Sequence, residues 1–401
     1  MIKKLVTGVA FSCVCAGALY AETVSVSNNG TGDFLIAPLY VAKGDICSNI
    51  TVFNTNTTSS ILAKVTFREK VASQEVDFPI FLSPGDVWNG EVCESANGVV
   101  LTSDDDSNHP AIADILKDGG KNLTEQSKSA GHTNVDFTTG YIEIYPIAQY
   151  NENSTEKVEK DVLVERWDGL VKGHTSDSKL KKDGVDGESL SGIVSFSTHD
   201  TQTASIPMSA FVGTHDKQVS GSAIAYSNDT SPELLLGVEK KNQILQLLQK
   251  DVTSFTFNNS GEDQFINLTF PFGYVANQTR TYKITVRDMS ENKDVEKKEV
   301  VIFSPAPKKI VKTNTINNEI VKLSVADMIA KTTNPEAFTK GMIQITEVKN
   351  LDNVQLGKGT IASFIPVKIT EGSLSKTQVG AIHSETDISP TIRSIIYVPT
   401  K

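Results

Sequence analysis

The sequence predicts a mainly β protein built from tandem, Ig-like β-sandwich domains with one or two packed helices. Apolar residues recur at every second position from Ile61 to Phe67 and from Val76 to Leu82. Such period-two patterns of β-branched and aromatic residues are typical of half-buried strands. The strands recur about every ten residues, which is the spacing of a sandwich. A chain of 401 residues also exceeds what a single core usually organises, so more than one domain is expected.

Residues 22–155 are assigned to a first, N-terminal sandwich. Pro84 and Gly85 occupy the two central positions of a type II turn between two of its strands. Pro79 lies inside a predicted strand, and this fits only an edge strand or a bulge because proline cannot donate to the ladder. Further strands of this sandwich are predicted at 34–42, 50–54, 99–102 and 141–145.

Residues 156–189 are predicted to connect the two β regions as a helix followed by a linker. Over 156–171, Leu163, Trp167 and Leu170 fall within about 60° of arc on a helical wheel. A strand is the alternative, because the apolar core of this segment is short. The rest of the connection is rich in Lys, Asp and Gly, which is typical of an exposed loop.

Residues 190–401 are predicted to form a second β-rich region. A helix over 231–250 interrupts it, with Ser231 as N-cap and Pro232 at the first helical position. This helix is expected to pack on a sheet of the same region through Leu234, Val238, Leu245 and Leu248. The proline-containing segment 304–309 marks either a domain boundary or a long loop. Strands are predicted at 190–197, 204–212, 222–226, 252–257, 265–272, 281–287, 299–303, 342–348 and 360–369.

The first 21 residues predict a cleaved secretory signal peptide. Lys3 and Lys4 give a basic start, an uncharged and mostly apolar run follows, and small residues offer cleavage after Ala18 or after Ala21. A membrane anchor is a weaker interpretation, because the run is shorter than the roughly 20 residues that a bilayer span needs. The expected location is therefore the periplasm, the cell surface or the extracellular space.

The net charge and the cysteines of the chain limit which binding partners and which cross-links are expected. A formal charge of −10 argues against nucleic acid or an anionic membrane surface as the main partner. No segment after the signal approaches 18 consecutive apolar residues, so no membrane span is expected after cleavage. Outside the signal segment the cysteines are Cys47 and Cys93, and in an exported chain this pair predicts a disulfide. Both are out of phase with neighbouring apolar positions, so the bridge should cross between strands away from the apolar face.

Two blocks of the chain carry a resemblance. Segments 63–69 (AKVTFRE) and 77–88 (DFPIFLSPGDVW), with 190–194 and 284–289 following in the same order, are similar to exported, β-rich bacterial proteins. The resemblance covers much of the chain and implies a shared fold. It carries no activity and no site residue.

Sequence motifs for catalysis are absent: the chain has no Gly-x-Ser-x-Gly, no His-Glu-x-x-His, no phosphate-binding glycine loop and no Cys-x-x-Cys. No cofactor is expected, and calcium is the one candidate ion. Asp104, Asp106 and Asn108 alternate as oxygen ligands do in calcium loops. His109 replaces the glycine of such loops and Ile115 replaces the glutamate, which favours a solvated turn instead.

These features favour a non-enzymatic exported envelope protein that acts in structure, adhesion or protein–protein interaction. Its partner would be an envelope or extracellular protein or a glycan. The partner would contact the outer faces of the strands, which are rich in Asn and Thr. The alternative is a sandwich module that binds a glycan or small ligand through exposed Tyr141, Tyr145 and Trp167. Burial of these rings in a core competes with that interpretation. A carboxylate-dependent hydrolase is the most distant alternative, since it leaves no sequence motif.

Overall fold

The computed structural model describes much of the N-terminal half and the regular elements of the C-terminal half. The described residues are 23–150, 164, 189–198, 201–214, 236–248, 252–258, 264–269, 271–272, 281–288, 299–303, 320–330, 336, 339–348, 361–370, 373–382 and 395–397. The predicted signal peptide and most of the predicted helix and linker over 156–189 lie outside them. Within that connection, Val164 lies in a helix.

Two six-stranded antiparallel sheets pack face to face and confirm the predicted sandwich. The first sheet has the spatial order β1 (Ser25–Val26), β12 (Ser209–Val212), β2 (Phe34–Val41), β9 (Thr139–Tyr150), β4 (Ser60–Glu69) and β5 (Glu75–Leu82). The second sheet has the order β11 (Thr201–Pro207), β10 (Leu190–Thr198), β3 (Ile46–Asn54), β6 (Val87–Ser95), β7 (Gly98–Thr102) and β8 (Lys121–Asn122). Two short helices contact β7: α1 (Pro110–Lys117) and α2 (Leu123–Ser129).

Aromatic rings from both sheets meet in the core between them. Phe67 and Phe78 of the first sheet have ring centroids 6.3 Å apart, and Phe78 lies 5.7 Å from Trp88 of the second sheet. Phe67 and Trp88 are completely buried. Aromatic pairs at these separations add to the stabilisation that burial of their surface provides.

The turn predicted at Pro84 and Gly85 is present, and of the two alternatives predicted for Pro79, an edge strand or a bulge, the edge strand is the one observed. Gly85 has a φ of +74°, which favours glycine, and the Asp86 N–H donates to the Ser83 carbonyl at 3.0 Å. Pro79 lies on β5, the outermost strand of the first sheet. Its missing N–H therefore interrupts no central ladder.

Strands β10, β11 and β12 join the first two sheets rather than the second region, 190–401, to which the sequence assigned them. Strand β10 pairs with β3 along its whole length, and β12 lies between β1 and β2. The pairing satisfies the backbone groups of β2 and β3 that would otherwise form sheet edges. The first sandwich therefore takes strands from both sides of segment 156–189, and the boundary predicted at residue 190 falls inside it.

In the structure, the helix predicted over 231–250 spans Val238–Leu248 and is labelled α3. Gly237 precedes it with a φ of +80°, a left-handed conformation that does not belong to a right-handed helix. Ser231 is therefore not the N-cap of α3, and residues 231–235 lie outside the described part of the chain.

Helix α3 contacts strand β1 of the first sandwich, which corrects the predicted packing on the second region. The Val24 N–H donates to Gln243 Oε1 at 2.9 Å, and Lys240 Nζ donates to the Gly213 carbonyl at 2.7 Å. Lys240 is 5% exposed, whereas Val238, predicted to face inward, is 60% exposed. The buried face of α3 therefore differs from the predicted one. Lys240 lies on it because its ammonium group donates to a buried backbone carbonyl, and Val238 lies on the exposed face.

Leu245→Asp and Lys240→Asp are both expected to destabilise the protein, whereas Val238→Asp is expected to leave stability nearly unchanged. Leu245 is 5% exposed, so a carboxylate there would be buried without a partner and should cost about 3 kcal/mol or more. Lys240→Asp removes a buried hydrogen bond and places a negative charge beside a carbonyl. Urea unfolding of the three variants tests this, and equal midpoints would show that the face of α3 is misassigned.

Two further antiparallel sheets come from the C-terminal strands. The third has the order β13 (Val252–Asn258), β18 (Lys340–Val348), β15 (Thr281–Asp288) and β16 (Glu299–Phe303). The fourth has the order β17 (Ile320–Ser324), β14 (Gln264–Thr269), β19 (Ile361–Thr370), β20 (Ser373–Ile382) and β21 (Ile395–Tyr397), and helix α4 (Val325–Ala330) follows β17. Strands from both sides of segment 304–309 share each sheet, as expected for a long loop rather than a domain boundary.

Candidate functional site

The predicted disulfide links β3 to β6. The Cys47 and Cys93 sulfurs are bonded at 2.01 Å and the two Cα atoms are 4.6 Å apart. The flanking pair Ser48–Val92 places the cysteines directly opposite each other, on the outward face of the second sheet. This confirms the predicted position away from the apolar face. Glu91 lies within 4.8 Å of both sulfurs, but disulfide sulfur is not the thiolate that binds metals.

The three predicted calcium ligands do not form one ligand set. Asn108 is 3% exposed, and its Oδ1 accepts from the Trp88 indole Nε1 at 2.8 Å. Asp104 and Asp106 are exposed. The carboxylate that organises the loop is Asp105, which accepts from two backbone N–H groups at 2.8 and 2.9 Å. The loop is therefore a turn in which Asn108 accepts a hydrogen bond from the core residue Trp88.

The tyrosines of the predicted aromatic platform are buried. Tyr141 is 0% exposed and Tyr145 is 1% exposed. The Tyr145 hydroxyl donates to Glu143 Oε2 at 2.7 Å. Neither ring is therefore available to stack on a ligand, which corrects that prediction, and Trp167 lies outside the described residues.

A cluster of buried charges lies on the outer face of the first sheet. Arg68 binds Glu143 through Nε at 2.5 Å and Glu75 through a terminal nitrogen at 2.6 Å. Lys64 binds Asp77 at 2.6 Å on the same face. The side chains of Arg68 and Lys64 are only 6% and 7% exposed. The sheet register places these residues on β4 and its two neighbours, β5 and β9, so the charges meet across adjacent strands.

Burial and charge both act on the titrating groups of this cluster. Burial raises the pKa of Glu75, although Arg68 opposes the shift. Burial alone would lower the pKa of Arg68, but the carboxylate of Glu143 raises it above its usual value, so the guanidinium stays charged. Burial raises the pKa of Tyr145, and Glu143 adds to that shift. Two acids beside aromatic rings are what a carboxylate hydrolase needs, yet here both acids bind the same guanidinium.

Residues of the C-terminal region contact this face of the first sheet. The Phe272 N–H donates to the Tyr141 hydroxyl at 3.0 Å, and the Phe272 ring lies 6.0 Å from Phe34. Thr269 Oγ1 donates to the Pro38 carbonyl at 2.6 Å, in the same sheet. Part of the face that strand alternation assigns to the outside is thus covered by the C-terminal region.

A polar cleft of about 320 Å³ opens on the outer face of the second sheet. Strand register places Asn49 opposite Glu91, and Glu91 opposite Thr102, so these side chains form a row across β3, β6 and β7. The polar residues that line the cleft include Asn49, Asn89, Glu91, Thr102, Asp104 and Lys117. Of these residues, only Asp104 was a candidate from the sequence. Periodicity within one strand does not show which residues of neighbouring strands lie next to each other.

Two amides of the cleft are held by neighbouring side chains. Asn49 Nδ2 donates to Ser197 Oγ at 3.0 Å, and Thr51 Oγ1 donates to Asn89 Oδ1 at 2.9 Å. These bonds fix which end of each amide is engaged by the protein. Among the described residues, no protein group binds the carbonyl oxygen of Asn49 or the amino group of Asn89, so both can bind a ligand.

No family model and no curated protein matches the chain. Among solved structures, the "Enterococcal surface protein, partial N-terminal region" matches with 10% identity and a TM-score of 0.20, covering 90% of this chain and 100% of that one. A TM-score this low does not establish a shared fold.

Proposed function

We propose that the protein is exported and acts in the cell envelope without catalysis, in structure, adhesion or protein–protein interaction. The observation that carries the proposal is the Cys47–Cys93 disulfide between two central strands. Disulfides form and persist in oxidising compartments outside the cytosol and are rare within it. Among the described residues, no helix is long and apolar enough to cross a membrane.

A binding role is supported by how the polar groups are distributed. Glu143, which is buried, and Glu75, which is half-buried, both bind Arg68, so their charges stabilise the first sheet rather than face a substrate. Polar side chains of the second sheet point outward from strands that the disulfide ties together. Rigid strands that present outward hydrogen-bonding groups suit recognition of a partner.

Cell fractionation followed by protease treatment of intact cells tests the proposal. We expect the mature protein in the envelope or extracellular fraction, and loss of the signal on protease treatment would place it on the cell surface. Deletion of residues 2–21 is the control, because that variant should stay in the cytosol. A full-length protein found in the cytosolic fraction would contradict the proposal.

A further inference from the structure

We propose that the polar cleft binds a neutral, hydroxyl-rich ligand of the carbohydrate class. The proposal rests on the proposed function, since it names what the envelope protein would bind. It does not use the buried tyrosines, and of the three predicted calcium ligands it uses only Asp104, which lines the cleft.

The cleft offers hydrogen-bonding groups that the protein does not itself use. In the part of the chain that the structure describes, no protein group binds the carboxylates of Glu91 and Asp104. The Asn49 carbonyl oxygen and the Asn89 amino group are left over once Ser197 and Thr51 hold the other end of each amide. A sugar hydroxyl donates one hydrogen bond and accepts others, so adjacent acceptors and donors of this kind match it well.

The charges of the cleft disfavour an anionic ligand, and its oxygens do not form a calcium site. Glu91 and Asp104 outnumber Lys117, so an anionic ligand would meet net repulsion. Calcium requires six to eight converging oxygens, and among the described residues Asp104 belongs to no group of three converging acids, histidines or cysteines. A cation would also leave the Asn89 amino group and Lys117 unmatched, because they donate hydrogen bonds and carry no acceptor, whereas a neutral hydroxyl-rich ligand can use donors and acceptors alike.

Size and rigidity also fit a short sugar. A volume of about 320 Å³ lies at the lower end of the range for small-ligand sites, roughly 300–1,000 Å³. The row Asn49–Glu91–Thr102 lies on three adjacent strands, so its spacing is set by the sheet. The disulfide lies two residues along each strand from Asn49 and Glu91, on the same face, and fixes their register. Such preorganisation lowers the entropic cost of binding.

Binding is tested on the purified mature protein with neutral trisaccharides of glucose, mannose and N-acetylglucosamine, by saturation-transfer NMR and calorimetry. We expect at least one sugar to bind with a Kd of about 1 mM or tighter. Glu91→Gln should weaken that binding about tenfold, because it removes a charge-assisted hydrogen bond. Asp114→Asn is the matched control, since it removes an exposed carboxylate of α1 that does not line the cleft, and it should leave the affinity unchanged.

Three results would overturn the proposal. One is no binding of any of the three sugars at about 10 mM. Another is equal affinity for the wild type and for a Glu91→Gln variant whose thermal unfolding shows that it is folded. The third is calcium binding, measured with calcium chloride after EDTA treatment, that Glu91→Gln abolishes while no sugar binds. None of these results depends on where the protein is found in the cell. Failure of the sugar-binding proposal can therefore be told apart from failure of the proposed envelope function, which the cell fractionation experiment tests.

Discussion

Arg68→Met is expected to lower the free energy of unfolding by about 3–5 kcal/mol. The substitution keeps much of the side-chain volume but removes the cation that binds Glu143 at 2.5 Å. Glu143 is 0% exposed, so its carboxylate would be left buried with a hydrogen bond from the Tyr145 hydroxyl at 2.7 Å but without a counter-ion. A buried charge that loses its counter-ion is far more costly than a surface pair that separates. Urea unfolding measures the loss.

Lys70→Met is the matched control, because it breaks an ion pair on the surface of the same sandwich. Lys70 binds Asp136 at 2.6 Å, and the two side chains are 27% and 37% exposed. Exposed pairs contribute about 0–1 kcal/mol. Arg68→Met/Glu143→Gln should recover part of the lost stability, since it removes the stranded charge as well. Equal losses for Arg68→Met and Lys70→Met would show that the cluster is not buried as described.

Replacing Cys47 and Cys93 together by alanine is expected to lower the free energy of unfolding by about 2–4 kcal/mol. The bridge joins residues 46 positions apart, so its loss gives the unfolded chain considerably more conformational freedom. Urea unfolding of the wild type with and without reductant, beside the alanine variant, measures the effect.

The reductant itself serves as the control for this prediction. It should lower the midpoint of the wild type to near that of the alanine variant and leave the variant unchanged. A wild-type midpoint that does not respond to reductant, in a protein whose thiols have been shown to be free, would mean that the bridge does not stabilise the sandwich.

Local patterns predicted strand positions and side-chain phase. The alternation along β4 identified the inward residues Val65 and Phe67, and the phases of Cys47 and Cys93 placed the disulfide on the outward face. Pro79 marked an edge strand for a purely local reason, its missing N–H. These predictions succeeded because each depends on neighbouring residues only.

Exposure of the first sheet could not be predicted in this way. Arg68 and Glu143 occupy positions that alternation assigns to solvent, and both are buried. The C-terminal region that contacts this face includes Phe272, which lies far along the chain. Pairing of β10 with β3 is equally non-local, which is why the predicted domain boundary fell inside a sandwich.

The sequence contains a helix-start pattern for α2, but this helix was not predicted. Asn122 accepts a hydrogen bond from the Glu125 N–H at 2.9 Å, the geometry of an N-cap. An asparagine followed three residues later by glutamate is a helix-start pattern. The helix is short and polar, so no apolar periodicity drew attention to it. The row in the cleft left no comparable signal, because it exists only once β3, β6 and β7 are in register.

Peptide mass mapping of the protein isolated from the cell envelope, alkylated and digested without reductant, tests the central claim most directly. We predict a mature N-terminus after Ala18 or Ala21, together with a linked peptide that contains Cys47 and Cys93. A chain recovered from the cytosol that retains residues 1–21 and carries alkyl groups on both Cys47 and Cys93 would contradict export and the disulfide together.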